Sequence, residues 1–298
     1  MRKSNITCSI CGGIVKEKKT NMVVEGQKVK LLYCKWCKHY SIDHKGLTQI
    51  STKCNYLELL KSVDKVRNYN YSLVVEQILR LPCYDLHING LEVGSATGSF
   101  LELLGKYDIM NFVGIEPMKE SYTIAKDKRL NVFNGYFPQD IPKDITDLDV
   151  VVFNDTFEHI PDSEEVLREC DKITKKDESY IFINLPVNSG FFFKTGRILD
   201  MLGFPDAFIR LWQLHTDSPH IHYYSNRSIE KLLKKYDFRL ASRPINMMVL
   251  DRDNIENRVK AVPMKKKSEK MIIRGVKLLF PFIRIMPNDT KCFCFKRV

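Results

Sequence analysis

From residue 88 to residue 185, short apolar runs alternate with segments of helical period. Ile88 to Val93, Phe112 to Ile115, Leu130 to Phe133, Leu148 to Phe153 and Tyr180 to Leu185 are compact apolar runs, and the pattern predicts strands. Between them, Phe100 to Lys106, Met118 to Lys126 and Ser163 to Ile173 predict helices. Such alternation points to an α/β fold around a doubly wound, mostly parallel sheet. Ligands of such sheets sit beyond the carboxyl ends of the strands.

Three other segments have their own patterns. Residues 53–81 place Tyr56, Leu59, Leu60 and Val63, then Leu73, Val74, Ile78 and Leu79, at helical spacing, which predicts two helices, the second stopped by Pro82. Residues 49–85 then form a helical linker that covers part of the site. Residues 186–224 make a long connection after the fifth strand, of the kind that closes over an acceptor site as a lid. Residues 265–286 alternate basic residues with Met271, Ile272, Ile273, Val276, Leu279 and Phe280. An amphipathic helix in peripheral contact with an anionic membrane is one reading. Gly275 and Pro281 favour the other, in which the segment packs on the domain with its lysines in water.

The chain has 298 residues, 44% of them hydrophobic, enough for one full α/β domain and a small appendage. No apolar run reaches the roughly 20 residues of a membrane span, and the first residues hold no stretch of signal-peptide length, so a cytoplasmic location is expected. The formal charge is +11, which makes nucleic acid, phosphorylated molecules and anionic lipid admissible partners. Much of the excess lies in KKKSEK and MIIRGVKLLFPFIRI and forms no basic stripe interleaved with aromatics, so nucleic acid is not favoured.

The cysteines change the picture at the N-terminus. Cys8 and Cys11 form one Cys-x-x-Cys pair, Cys34 and Cys37 a second, and no export signal precedes them. In a reducing compartment this pattern favours a metal over disulfides. Two such knuckles supply four soft ligands for a closed tetrahedral Zn2+ site, with structural rather than catalytic duty. Between them, two short strands are expected to turn at Glu25-Gly26. Residues 1–48 resemble a zinc ribbon, too small to fold on an apolar core alone.

The segment LEVGSATGSFL follows the first predicted strand of the main domain and opens a helix. Gly94 and Gly98 let the backbone approach a ligand closely, and Glu92 stands just before the turn. The order is E-x-G-x-A-x-G rather than the dinucleotide order G-x-G-x-x-G. An acid at that point suits a ligand bearing an amino group or a positive charge. The second strand ends in FVGIEP, and Glu116 is placed to accept hydrogen bonds from ribose hydroxyls. With NGYFPQDIP, FNDTFEHIPD, HIHYYSNRSIEKLLKKYDF and the final DTKCFCFKRV, these motifs run in the order of the class I S-adenosylmethionine-dependent methyltransferases, which the chain resembles over residues 86–298. The resemblance implies a seven-stranded Rossmann-like sheet and S-adenosyl-L-methionine as cofactor. It places Glu92, Gly94, Ser95 and Gly98 at the methionyl end, Glu116 at the ribose, Tyr136 and Phe137 around the adenine, and Asp155 near the sulfonium. Ala96 stands where a glycine is frequent, and the adenine segment lacks the common acid after its glycine.

For a hydroxyl acceptor the chemistry calls for a base. His159 is the first candidate. Asp155, Glu158 and His159 share a face if the segment is helical, which suits orientation of the imidazole or, as in quinone-biosynthesis methyltransferases with a similar cluster, a divalent ion. His215, His220 and His222 fall in the long connection, and His222 is the second candidate base. The ribbon together with this methyltransferase type resembles bacterial enzymes of sugar and polysaccharide biosynthesis. The resemblance implies methyl transfer to a small-molecule or glycan acceptor, with O-methylation favoured because no further C-terminal domain follows. An RNA methyltransferase and a non-catalytic cofactor-binding scaffold are the alternatives.

Overall fold

The computed structural model describes residues 7–43, 56–82, 87–109, 111–262 and 266–298. The expected boundaries at 48/49 and 85/86 fall outside these residues.

The central sheet is built from β6 (Gly90–Val93), β7 (Phe112–Glu116), β8 (Val132–Asn134), β9 (Val150–Asn154), β10 (Tyr180–Pro186), β12 (Phe238–Leu240) and β14 (Thr290–Arg297). Their order is β8-β7-β6-β9-β10-β14-β12. The first five are parallel, and β14 runs antiparallel between β10 and β12. This is the doubly wound, mostly parallel sheet expected from the strand pattern, with the seven strands that the motif resemblance implies. A short β13 (Ile245–Asn246) also pairs with β14. The middle strands are largely apolar because both faces are covered. On one face, Val151, Phe153, Ile181 and Ile183 meet α4 (Ser163–Ile173) and α7 (Asn226–Lys234). On the other, Val150, Val152 and Phe182 meet α1 (Tyr56–Ile78) and α2 (Ser99–Gly105). The helix starts are sealed locally. Asp162 accepts the N–H groups of Glu164 and Glu165 before α4, and Ser225 and Ser228 form a reciprocal cap on α7. Helix α3 (Lys119–Asp127) follows β7.

One expectation is corrected. Helix α1 is one continuous helix of 23 residues, not two. The polar stretch 64–72 interrupts the apolar stripe but contains no glycine or proline to break the backbone.

The N-terminal module shares its sheet with the main domain. Its strands β1 (Val15–Lys18), β4 (Leu31–Cys34) and β5 (His39–Ile42) form an antiparallel sheet. The fourth strand is β11 (His222–Tyr223), from the end of the long connection. The hairpin of β2 (Val23–Val24) and β3 (Gln27–Lys28) turns where expected, with Glu25 at φ 48° and Gly26 at φ 81°. Met22, Val24, Val29 and Leu31 share a core with Phe193 of α5 (Phe191–Met201) and with Phe208 and Trp212 at α6 (Asp206–Leu211). Buried Asp200 accepts from Thr20 Oγ1 at 3.1 Å and from the Asn21 N–H at 2.8 Å, and pairs with Arg197. The connection 186–224 is thus anchored in the module.

In the C-terminal segment, α9 (Lys266–Leu279) is helical through Gly275. It lies against α8 (Ile255–Lys260) and α6 but has no fully buried residue, and Met271 and Leu278 face outward. Packing onto the domain is therefore partial. No helix among the described residues is long and apolar enough to cross a membrane.

Candidate active site

A cleft of about 740 Å³ opens at the carboxyl ends of β6, β7, β9 and β10. The connection 186–224, α1 and α8 wall it from above. It begins at the turn after β6, where Gly94 (φ 75°) and Gly98 (φ 80°) take left-handed conformations. A Cβ on Gly94 would stand 2.4 Å from Thr156 Oγ1. The turn is tied to the next strand: the Gly94 and Ser95 N–H groups donate to the Ile115 carbonyl at 2.9 and 3.2 Å. The Ala96 N–H donates to Glu116 Oε2 at 2.8 Å, and the Met118 N–H to Glu116 Oε1 at 2.9 Å. Both carboxylate oxygens are thereby oriented, and each keeps capacity for a further donor. Burial raises the Glu116 carboxyl above its ordinary range, while those two N–H groups and the Arg67 charge pull it down.

Gly94, Glu116, Tyr136, Phe137, Asp155 and His159 all line this cleft. Tyr136 is exposed, and its N–H donates to Asp140 Oδ2 at 2.8 Å. Phe137 is buried, edge-on to Phe153. Glu92, Ser95 and Gly98 lie behind the wall. Ser95 packs under the turn toward Gly114, and Gly98 is covered by Leu130. Glu92 is buried within β6 and accepts from Asn154 Nδ2 at 3.0 Å. Its Oε2 and Asn154 Oδ1 are buried without a partner. Burial pushes the Glu92 carboxyl up to about 8, against the Asn154 hydrogen bond and the Arg67 charge.

Asp155 starts the far end of the cleft with φ 51°. The following Phe157–His159 is a single tight 3₁₀ turn rather than an α-helix. The expected i, i+3, i+4 face is therefore not formed, and His220 takes its place beside the pair. Glu158 Oε1 lies 4.0 Å from His159 Nε2 and 3.8 Å from His220 Nε2, and its Oε2 is buried without a partner. His159 Nδ1 stands 3.0 Å from the Pro219 carbonyl. A carbonyl only accepts, so this contact selects the tautomer with Nδ1–H and leaves a lone pair on Nε2. Burial pushes the His159 imidazole down to about 4, although the side chain is still 17% exposed on the cleft wall. Ligand atoms of Glu158, His159 and His220 lie within 4.8 Å of one another, so this trio can also hold a cation.

His222 is placed elsewhere. Its Nδ1 meets His39 Nε2 at 3.1 Å and its Nε2 faces the Pro161 carbonyl at 3.4 Å. It lies on the seam between the module and the main domain and does not line the cleft, and His215 does not line it either. A base at His222 is not carried forward. Sequence reasoning missed three arginines of the cleft wall, Arg67, Arg210 and Arg258. Leu60, Val63, Arg67 and Asn70 recur at three- and four-residue spacing along α1 and all face the cleft. That stripe was the available signal for Arg67, whereas Arg258 gave none.

Apart from the cleft, the four sulfurs of Cys8, Cys11, Cys34 and Cys37 lie within 4.8 Å of one another. Cys8 and Cys37 are 3.7 Å apart, Cys11 and Cys34 3.5 Å. This donor set can hold a tetrahedral ion.

A family profile described as "Methyltransferase domain" matches residues 66–243. The chain belongs to that methyltransferase family. It is an S-adenosylmethionine-dependent methyltransferase. No curated protein matches this methyltransferase. Among solved structures, it is similar to the plantazolicin methyltransferase BpumL in complex with SAH, at 14% identity and TM-score 0.53, covering 85% of this chain and 94% of that one. It is also similar to the YcgJ protein of Bacillus subtilis, at 13% identity and TM-score 0.52, covering 76% and 96%. The phosphoethanolamine N-methyltransferase 2 of Haemonchus contortus, in complex with phosphomonomethylethanolamine and S-adenosylhomocysteine, shares 13% identity at TM-score 0.53. That match covers 80% of this methyltransferase and 56% of the other chain. At these identities the likeness is one of fold.

Proposed function

We propose that this methyltransferase acts on a hydroxyl of a small-molecule acceptor, a sugar, glycan or related metabolite. The observation that carries the cofactor part of this reading is Glu116, held by the Ala96 and Met118 N–H groups at the tip of β7 with acceptor capacity left on both oxygens; the acceptor part rests on His159 in the cleft wall. It suits the two ribose hydroxyls of the cofactor. The left-handed turn at Gly94 leaves room for the methionyl end, and Tyr136 and Phe137 flank a space for the adenine. The unpartnered Oδ1 of Asn154, a residue of the cleft lining, fits a ligand that brings a hydrogen-bond donor.

S-adenosylmethionine supplies an electrophilic methyl group on a positively charged sulfur. Around it the protein has two tasks. The cleft aligns the acceptor hydroxyl with the methyl, which removes much of the entropic barrier. His159 Nε2, neutral at physiological pH and anchored through Nδ1–H, takes the hydroxyl proton. Glu158 stands at 4.0 Å; burial holds its carboxyl well above the ordinary range, and the imidazolium that results favours its ionised form.

We further assign Zn2+ to the four cysteines. Four thiolates at about 2.3 Å from zinc in a tetrahedron are about 3.8 Å apart, close to the 3.5 and 3.7 Å observed across the two knuckles. Four cysteines leave no open position, which makes the role structural.

Native mass spectrometry of the full chain tests both assignments. One zinc per chain and uptake of S-adenosylhomocysteine are expected. Incubation with S-adenosylmethionine and nucleotide sugars, glycans or RNA then identifies the acceptor by the mass of one added methylene. No uptake of either nucleoside by zinc-replete protein overturns the cofactor site, and methylation of RNA alone overturns the acceptor class.

A further inference from the structure

We propose that Arg258 receives an anionic group, a carboxylate or phosphate, carried by the methyl acceptor. The inference rests on the cofactor reading above and names the substrate chemistry of the same cleft.

Arg258 enters the cleft from α8, which is pinned by buried Ile255 and Val259. A second arginine sets the height of that helix: the Arg210 guanidinium donates to the main-chain carbonyls of Arg258 and, at 3.1 Å, of Val259. Arg210 is thus spent on the backbone, and Arg258 is presented by it. Arg258 Nη1 is buried without a hydrogen-bond partner. Among the described residues no carboxylate lies within 4.0 Å of its guanidinium. The acid whose field it feels is Asp155, across the cleft. Burial weakens its hold on the proton, yet a guanidinium stays charged under any such shift.

A buried guanidinium nitrogen with nothing to donate to is costly. The cost is removed if the acceptor oxygen arrives with a ligand, and the forked geometry of arginine suits carboxylates and phosphates. The position also separates this site from the cofactor end. Arg67, on the neighbouring helix α1, donates to the Tyr71 hydroxyl and acts on Glu92 and Glu116, which Arg258 does not, while both arginines act on Asp155. Arg258 acts on Tyr223, whose ring lies 5.6 Å from that of His220, and all three line the cleft. It therefore belongs to the end of the cleft that holds the Glu158, His159 and His220 cluster. An acceptor held by its anion at Arg258 would turn its hydroxyl toward His159.

The carboxylate of the cofactor's amino-acid end is the competing source of the same chemistry, and titration calorimetry on the full chain separates the two. The protein is saturated with S-adenosylhomocysteine and titrated with inorganic phosphate and with acetate at constant ionic strength. Saturable binding of either anion is expected. In R258M it should weaken by about tenfold or more, while affinity for S-adenosylhomocysteine stays within about twofold. R258K keeps the charge and loses the fork, so it should fall between, and it reads the same contrast if R258M does not fold. Equal anion binding by wild type and both variants overturns the proposal. So does wild type that takes S-adenosylhomocysteine but no anion. A third result assigns Arg258 to the cofactor instead: R258M loses S-adenosylhomocysteine but keeps 5′-deoxy-5′-methylthioadenosine, which lacks the carboxylate. Wild type that binds neither nucleoside brings down the cofactor reading itself, a different failure from the loss of anion binding alone.

Discussion

Ser225 Oγ donates to the Cys37 carbonyl at 2.6 Å while it accepts the Ser228 N–H at 3.0 Å. One hydroxyl therefore holds a cysteine knuckle and caps the first turn of α7 together. The knuckle is tied to the cleft by a second route as well, through β5, β11 and the core shared with α5 and α6. If zinc organises the four cysteines, its loss should spread beyond the module. For C34S, or wild type treated with a strong chelator, we expect zinc loss by native mass spectrometry and a lower unfolding temperature. Hydrogen exchange should rise in Phe191–Leu211, a segment that contains no cysteine. Unchanged exchange in that segment would show that the module and the lid are independent.

The Glu116 carboxylate is the most exactly placed group at the cofactor end. Removing its acceptors should cost at least one charge-assisted hydrogen bond to the ligand, about 1.5–3 kcal/mol, or roughly 10- to 150-fold in affinity. E116A should therefore bind S-adenosylhomocysteine more weakly by that factor in titration calorimetry, and E116K more weakly still. The unliganded protein should keep its fold in circular dichroism, since the Ala96 and Met118 N–H groups lie at the cleft and are open to water in the variant. Affinity within twofold of wild type in E116A would remove Glu116 from the site.

Much of this architecture was legible because it rests on local chemistry. The strands of the sheet are short apolar runs, and the glycine turn and Glu116 sit at fixed offsets from two of them. The four cysteines declare themselves by spacing. What was not legible depends on distant segments meeting. His222 carries no local mark that sends it to His39, 183 residues away, rather than to the cleft. His220 joins Glu158 and His159 only because the connection 186–224 folds back, where the Ile221 N–H donates to the Glu158 carbonyl at 2.9 Å. Arg258 lies in an otherwise unremarkable polar stretch whose place is fixed by Arg210. The single helix α1 was misread for another reason. Its buried face continues through Val66, Asn70 and Tyr71, among residues that read as polar, and a pause in apolar period without a breaker is not an end.

Glu92 gives a prediction about stability. Its folded carboxyl is raised from 4.5 to about 8, with burial as the main cause. The folded state therefore holds a proton that the unfolded state releases. The stability this contributes is fully present below pH 4.5 and is lost as the pH rises through 8. E92Q is isosteric, does not titrate, and can still accept from Asn154. Its unfolding temperature relative to wild type should rise steadily between pH 5 and pH 8. The comparison of the two proteins cancels the other titrating groups. A difference that does not change with pH would mean that Glu92 is ionised in the folded protein.

His159 is depressed to about 4 by burial, with the Pro219 carbonyl opposing the shift. An ordinary histidine near 6.5 acting as base would lose half its competence at that pH. The folded imidazole stays neutral well below it, so kcat for a hydroxyl acceptor should be flat from pH 8 down to pH 6. Removal of a general base typically costs about 10²- to 10⁴-fold. H159Q should fall in that range in kcat, with KM for S-adenosylmethionine little changed because Glu116 and the glycine turn are intact. H222Q should instead lower the unfolding temperature, through loss of the His39 contact, and leave the shape of the pH profile as in wild type. A kcat limb near pH 6.5 in wild type that disappears in H222Q would transfer the proton from His159 to His222. It would require the seam between module and domain to open during turnover.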